Sequence, residues 1–362
     1  MRAAVLRAPR SQQVEELDRP EPEAGEVRVR LVASGLCRSD LHAYEGHVPV
    51  PLPAVLGHEG AGVIDKIGAN VTDLAVGDHV VMTITPGCGT CFQCQLGAFG
   101  LCEVGAPHFL DGGLIHGQRR LSKTGETVNH YLMQSSFAEY AVVERWNAVQ
   151  IDAGVPFEIA CLAACGLSTG FGAAINRAQV TVGEAVLVVG AGGVGLSAVI
   201  GAASAGAARV IVADTNPAAC RLALELGATD AVELTPDSDL AAEVHRLVPR
   251  GVDASIDAVG TPATVLSAFN ALRHGGRLVI LGVADPTSMV QVPLYSFIQQ
   301  KVITGSTNGS IRPQVDIPKI LERYTSGRLP LERLITSRYP LEEINTAFAE
   351  IGQRPGRAVI TF

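Results

Sequence analysis

Hydrophobic and polar positions change their rhythm twice along the chain. Up to about residue 150, apolar residues come in short alternating runs such as Glu26-Val-Arg-Val-Arg-Leu-Val-Ala33 and His79-Val-Val-Met-Thr83. Gly, Pro and Asp separate these runs, which is the pattern of strands joined by turns. From Ala185 onward, strand-like runs at 185–189, 209–213, 253–257 and 277–281 are separated by stretches with helical periodicity. That alternation predicts a parallel sheet covered by helices. After about residue 307 the texture loosens, and Gly356-Arg-Ala-Val-Ile-Thr-Phe362 reads as a terminal strand able to rejoin the β-rich first part.

Length and charge narrow the class. At 362 residues the chain exceeds the usual size of one core, and 47% hydrophobic residues supply material for two domains with a cleft between them. The net charge of −8 is spread over mixed acidic and basic residues. No basic arm or stripe offers itself to phosphate backbones, so nucleic acid is not an expected partner. The start Met1-Arg-Ala-Ala-Val-Leu-Arg-Ala-Pro9 is too short and too charged for a signal peptide, and six glycines break the apolar stretch 185–208. A soluble, cytoplasmic protein without membrane contact is expected, and there clustered cysteines favour metal over disulfides.

The second part carries a cofactor signal. Gly190-Ala-Gly192-Gly193-Val194-Gly195 follows an apolar strand and leads into a helix-like run from Leu196 to Ala205. Glycines there let the backbone approach a pyrophosphate at a helix N-terminus. Asp214 ends the next strand 19 residues after Gly195, where a carboxylate accepts hydrogen bonds from a ribose and repels a 2′-phosphate. NAD is therefore favoured over NADP.

Two sets of soft ligands stand in the first part. Cys88, Cys91, Cys94 and Cys102 lie within fifteen residues, so four thiolates can reach one tetrahedral ion from a single Gly-rich loop. An iron–sulfur cluster is the rival reading, because the first three cysteines have ferredoxin-like spacing. The fourth comes too late and has no Pro behind it, so structural zinc is preferred. Cys37, His58 and Cys165 form the sparser set. Two thiolates and one imidazole leave a fourth position open, where zinc would act as a Lewis acid on an alcohol oxygen.

Taken together these features resemble a known family. Gly57-His58-Glu59-Gly60-Ala-Gly62-Val63, Cys37-Arg38-Ser39-Asp40-Leu41-His42, the four-cysteine loop, Ala164-Cys165-Gly166-Leu-Ser-Thr169-Gly170 and the Gly190 fingerprint are similar to the zinc-containing medium-chain alcohol dehydrogenases of the long, liver type. The resemblance runs to Arg357-Ala-Val-Ile-Thr-Phe362. It implies an α/β fold with a GroES-like, β-rich catalytic domain (residues 1–166 and 308–362, structural zinc loop 88–102) and a doubly wound Rossmann NAD-binding domain (167–307). It also implies two Zn²⁺ per subunit, one catalytic on Cys37, His58 and Cys165, and one structural.

Residue by residue, the resemblance puts Glu59 behind the catalytic metal, where it assists ligand exchange, and makes Asp40 the partner of the free His58 nitrogen. Ser39 matches the hydroxyl that takes the alcohol proton and passes it by way of the nicotinamide ribose to His42. Arg38 and Arg357 match pyrophosphate-binding arginines, and Thr169 packs beside the nicotinamide. Gly193, Val194 and Val283 join the cofactor set. Val48, Ile84, Tyr131, Leu132 and Thr307, with Val283 again, match positions of the substrate pocket.

The pocket reads as apolar and somewhat wide, with Ile84 where animal liver-type enzymes often carry Phe. That suits medium-chain or aromatic primary alcohols. The glutathione-dependent formaldehyde dehydrogenase branch expects an acid and an Arg at the pocket mouth, where this chain has Val48 and a stretch near Ala106 without Arg. A Lys that often supports the ribose is replaced near Ala219. Tightly bound NAD reoxidised by an external acceptor, and a catalytically silent NAD-binding regulator, stand as alternatives. A homo-oligomer is expected, with a dimer preferred to a tetramer on the retained segment between Cys102 and Ser136. Cys161 and Cys220 have no assigned role.

Overall fold

The structure, a computed structural model, describes residues 1–85 and 87–362. Six strands form a wholly parallel sheet in the spatial order Asp230–Glu233, Arg209–Asp214, Ala185–Val189, Val252–Asp257, Leu272–Ile280, Val302–Gly305. Numbered along the chain this order is 3-2-1-4-5-6, the doubly wound arrangement whose binding crevice opens at the carboxyl ends of the central strands. Ala185–Val189 is buried at every position, as expected for a strand covered on both faces.

The other part holds two sheets. One is ordered Ser11–Glu16, Arg2–Ala8, Ala54–Val55, Glu126–His130, Leu121–Lys123. The second is ordered Ala148–Gln150, His79–Met82, Gly60–Ile67, Glu26–Leu36, Arg357–Thr361, Ile335–Pro340, with Tyr140–Glu144 also paired to Glu26–Leu36. The terminal strand Arg357–Thr361 runs antiparallel to the end of Glu26–Leu36, with Ala358 opposite Leu36. The last residues therefore return to the first part, as the terminal apolar run predicts.

The parts share a core. Val81 and Val149 on one side and Val186 and Val188 on the other belong to one buried cluster that includes Leu162, Leu167 and Phe171. The helix Gly166–Gly172 lies at its centre. A Cβ on Gly170 would sit 2.0 Å from the Val194 carbonyl oxygen, so this helix meets the helix Gly193–Ser204 backbone to backbone. Among the described residues, no single helix is long and apolar enough to cross a membrane.

One buried histidine gives the fold a pH dependence. His130 Nε2 accepts the Arg120 backbone N–H at 3.1 Å, and burial, aided by the charges of Arg120 and Arg119, pulls its pKa down from 6.5 to about 3. Between those values the unfolded chain binds the extra proton, so stability falls as pH drops below 6.5, by up to about 1.4 kcal/mol per unit. Denaturant titrations at pH 7 and pH 5.5 should show a steeper loss for wild type than for His130→Gln. Equal losses would remove His130 as the cause.

Candidate functional site

Three adjacent strand ends deliver the first group of residues. Cys37 follows the last residue of Glu26–Leu36, His58 and Glu59 precede Gly60–Ile67, and Arg357 opens Arg357–Thr361. Because both neighbours run antiparallel to Glu26–Leu36, these ends fall at the same edge of the sheet. Cys165 arrives from the junction between the turn Cys161–Ala164 and the helix Gly166–Gly172. Ligand atoms of Cys37, His58, Glu59 and Cys165 lie within 4.8 Å of one another, all in buried residues.

Asp40 organises this cluster. One carboxylate oxygen accepts the Cys37 backbone N–H at 2.9 Å. The other accepts the Gly57 N–H at 3.1 Å and meets His58 Nδ1 at 2.9 Å. Nδ1–H therefore donates to the carboxylate, and the negative charge of Asp40 raises the affinity of Nε2 for a proton or a metal ion. His58 Nε2 is buried without a hydrogen-bond partner. An orphaned acceptor beside two thiols is expensive unless a cation satisfies it. The Cys37 thiol is drawn well below its ordinary range by the neighbouring Cys165 thiol and by His58, while Cys165 is pushed well above it by Cys37 and by burial. The donor set fits a zinc ion held by Cys37, His58 and Cys165.

Glu59 lies behind the cluster. Its Oε1 accepts the Gly166 N–H at 3.2 Å and pairs with the buried Arg357 guanidinium; Oε2 has no partner. A Cβ on Gly35 would lie 2.1 Å from that Oε2, so the glycine keeps room for the carboxylate. Gly35 escapes a sequence reading, whose only signal is a glycine inside a β-type run. Arg357 also borders the cofactor turn, because a Cβ on Gly193 would fall 2.3 Å from its Cδ and Gly356 bridges Gly192. Thr169 Oγ1 is buried and unpartnered on the helix between these sites. Arg38 is exposed, with its guanidinium near Gly352.

The Gly190 turn has the shape of a phosphate cradle. Gly190 takes φ 89°, and a Cβ on Gly195 would stand 1.7 Å from the Gly190 carbonyl oxygen. A Cβ on Gly192 would meet nothing within 4 Å. Gly192 caps the helix Gly193–Ser204, whose first N–H groups have no carbonyl ahead of them. Asp214 accepts the Ala191 N–H at 2.6 Å on Oδ2 and the Asn216 N–H at 2.7 Å on Oδ1, and each oxygen retains a lone pair. Open space at Gly192 beside a fixed carboxylate fits a dinucleotide.

Ser39 is half-buried on the first turn of Arg38–Tyr44, with Oγ 3.8 Å from Cys37 Sγ. Tyr131 donates its hydroxyl to the Ser39 carbonyl at 2.8 Å, and its ring stands edge-on to His58. Its phenol is thus committed to holding the helix start. Ile84 clusters with Cys37 and Cys165, and Leu132 is buried. Val48 is half-buried; Val283 is 90% exposed, and Thr307 lies against the cysteine loop at Gly100. His42 is exposed one helical turn beyond Ser39.

In the cysteine loop, the Cys88–Cys94 and Cys91–Cys102 sulfur pairs are both 4.0 Å apart, and all four sulfurs lie within 4.8 Å. Four sulfurs about 2.3 Å from one ion stand about 3.8 Å apart. Burial opposes ionisation of Cys88, yet hydrogen bonds from Thr90 and Cys91 pull it down to about 6. Burial and the neighbouring sulfurs push Cys94 up to about 12. The four cannot all ionise without a cation between them. Cys161 belongs to neither set; it is buried against the Glu158 carbonyl and within reach of the Glu59 and Arg357 charges, and Cys220 is buried against the carbonyls of Asp214 and Val232.

Trp146, the one tryptophan of the chain, reports on that loop, since a Cβ on Gly89 would touch its indole at 3.1 Å. Chelation of a metal held by this loop is expected to shift Trp146 emission to the red. Emission that stays fixed as metal leaves would separate the docking of the loop from its metal.

Comparison with known proteins agrees with this geometry. Residues 23–153 match the model of the alcohol dehydrogenase GroES-like domain, and residues 193–326 that of the zinc-binding dehydrogenases. The chain is 39% identical, over 97% of its length and 95% of the relative's, to an NDMA-dependent alcohol dehydrogenase of Amycolatopsis methanolica. It superposes on an alcohol dehydrogenase zinc-binding domain protein from Burkholderia ambifaria with TM-score 0.95 and 36% identity, covering 100% of this chain and 98% of that one. A benzyl alcohol dehydrogenase from Acinetobacter calcoaceticus gives 0.94 and 33%, covering 100% and 99%. Sheet order and donor sets thus define a two-part zinc-binding dehydrogenase. The chain belongs to the zinc-containing medium-chain alcohol dehydrogenase family, and it is a zinc-dependent alcohol dehydrogenase.

Proposed function

We propose that the protein interconverts a primary alcohol, aromatic or of medium chain length, and its aldehyde, using NAD and two zinc ions per subunit. The observation that carries this reading is the convergence of Cys37, His58 and Cys165 against Ile84, with His58 Nε2 buried and unpartnered. When bound, zinc supplies a Lewis acid that acidifies an alcohol hydroxyl, and NAD supplies the hydride acceptor. Cys37, His58 and Cys165 would hold the catalytic ion, and Cys88, Cys91, Cys94 and Cys102 the structural one.

The chain's own residues do the rest. Asp40 keeps His58 in the tautomer that presents Nε2. Ser39 removes the alcohol proton, and His42, on the last turn of the same helix, delivers it to water. Glu59 balances charge behind the metal, and its partner Arg357 also reaches toward the pyrophosphate turn. Asp214 favours NAD by repelling a 2′-phosphate. In this reading residues 1–166 and 308–362 form the catalytic domain and 167–307 the cofactor domain.

Ile84, packed with Cys37 and Cys165, gives the site an apolar side suited to a ring or an alkyl chain. The similarity to a benzyl alcohol dehydrogenase supports aromatic alcohols. The test is kcat/KM across ethanol, hexanol, benzyl alcohol and secondary alcohols. Benzyl alcohol or hexanol should exceed ethanol by at least about tenfold, since each buried methylene contributes roughly 0.8 kcal/mol. Preference for ethanol or for a secondary alcohol would overturn the assignment.

A second reading keeps NAD bound between turnovers, supported by the relative named for its dependence on NDMA. Exhaustive dialysis followed by assay without added NAD separates the two. We also infer a cytoplasmic homodimer. None of the eight cysteines is paired in a disulfide, and Met289, Leu294, Tyr295 and Ile298 are exposed in the segment that leads into the edge strand Val302–Gly305. Such a patch calls for a partner; sedimentation as a monomer would remove the dimer.

A further inference from the structure

The helix Arg38–Tyr44 ends in a reversal that no step above uses. Glu45 closes the helix, Gly46 takes φ 80°, and the chain doubles back until the His47 N–H donates to the His42 carbonyl at 2.9 Å. A Cβ on Gly46 would meet Pro9 at 3.0 Å, so the reversal depends on glycine in both conformation and space. As a result the imidazoles of His42 and His47 come together with centroids 5.9 Å apart and planes tilted by 51°. Ligand atoms of His42, Glu45 and His47 all lie within 4.8 Å of one another. Glu45 is committed on one side only: Oε1 accepts from Arg10 at 2.8 Å, while Oε2 faces His47 Nδ1 at 3.4 Å.

We propose that His42, Glu45 and His47 form a peripheral site for a divalent transition-metal cation such as Zn²⁺ or Ni²⁺, and that its occupancy stops proton exit through His42. Two imidazoles and one carboxylate are donors that select such ions over Mg²⁺ or Ca²⁺. Around a tetrahedral ion with ligand distances near 2.0–2.1 Å the donors must close to about 3.3 Å from one another. His42 and His47 are exposed and free to make that movement, and the solvent side leaves room for water as a further ligand. Binding uses an imidazole lone pair of His42 and releases to water any proton held there; nothing is oxidised or reduced. The inhibitory consequence rests on the reading of His42 as the outlet for the alcohol proton, whereas the site itself does not.

The test titrates Ni²⁺ into zinc-loaded enzyme with NAD and alcohol saturating. Bound nickel and retained zinc are counted per chain after gel filtration, and kcat is followed in parallel. One nickel per chain should bind with the resident zinc retained, and kcat should fall by about tenfold or more. His47→Gln and Glu45→Gln should each weaken nickel binding and relieve the inhibition while keeping the nickel-free rate. No extra nickel at sub-millimolar concentration, or binding unaffected by both substitutions, overturns the site. Binding that both substitutions abolish, without any fall in kcat, supports the site and removes His42 from the proton path.

Discussion

Ser39→Ala is expected to lower kcat for alcohol oxidation by about 10²-fold or more, the range a positioned proton acceptor contributes. The hydroxyl lies 3.8 Å from Cys37 Sγ and has no other side-chain partner among the described residues, so its loss leaves the cluster intact. Tyr131 holds this helix start through the Ser39 carbonyl, a contact that alanine retains. Zinc content and melting temperature should therefore match wild type while turnover falls. In the proposed relay the group acts on the reacting proton and not on uniform binding, so the loss should appear in kcat more than in KM. A change below about threefold, with zinc retained, would mean that the alcohol proton leaves by another route.

Two alanines in the glycine turn should separate cofactor binding from folding. At Gly195 a Cβ would be driven to 1.7 Å from the Gly190 oxygen, so Gly195→Ala must displace the turn itself. Overpacking of that kind costs about 1–3 kcal/mol, which corresponds to about 5–150-fold weaker NAD binding if the cost falls on the turn. The melting temperature should drop as well. At Gly192 the Cβ meets nothing within 4 Å and φ is −74°, so Gly192→Ala should fold with unchanged stability. Its methyl would occupy the space proposed for the pyrophosphate, and NAD affinity should fall by roughly tenfold or more, about 1.4 kcal/mol. NAD titration and thermal melts on both variants check the pair; unchanged NAD affinity in Gly192→Ala would move the pyrophosphate elsewhere.

Local signals in the sequence carried some of this. The strands at 185–189 and 209–213 were legible because continuous apolar runs between turn residues have one economical use, a strand covered on both faces. The observed elements are Ala185–Val189 and Arg209–Asp214. Near residue 277 the reading starts late: the strand runs Leu272–Ile280, and its first half passes through His274-Gly275-Gly276, which breaks the apolar pattern. The helix expected from Leu196 begins at Gly193, because its first turn consists of the glycines and valine of the fingerprint. The pair Arg2–Ala8 and Ser11–Glu16 stayed hidden, since Ser11–Glu16 is largely exposed and polar.

Contacts between distant residues were the least legible. Glu59 meets Arg357 only because the terminal strand pairs in register with the end of Glu26–Leu36, a fact of sheet topology. Asp40 against His58 was expected from the family resemblance alone, because only the shared sheet edge brings that helix start beside the strand start. His47 approaches His42 through one left-handed glycine, and a local pattern does not separate that turn from any other.

The most direct test follows NADH appearance from benzyl alcohol, with NAD supplied, in preparations whose zinc content is graded by chelation and readdition. The account predicts a rate proportional to zinc at the site of Cys37, His58 and Cys165, falling to background when that zinc is gone and returning with it. Turnover that persists in metal-free protein, or none in protein carrying its full zinc, would contradict it.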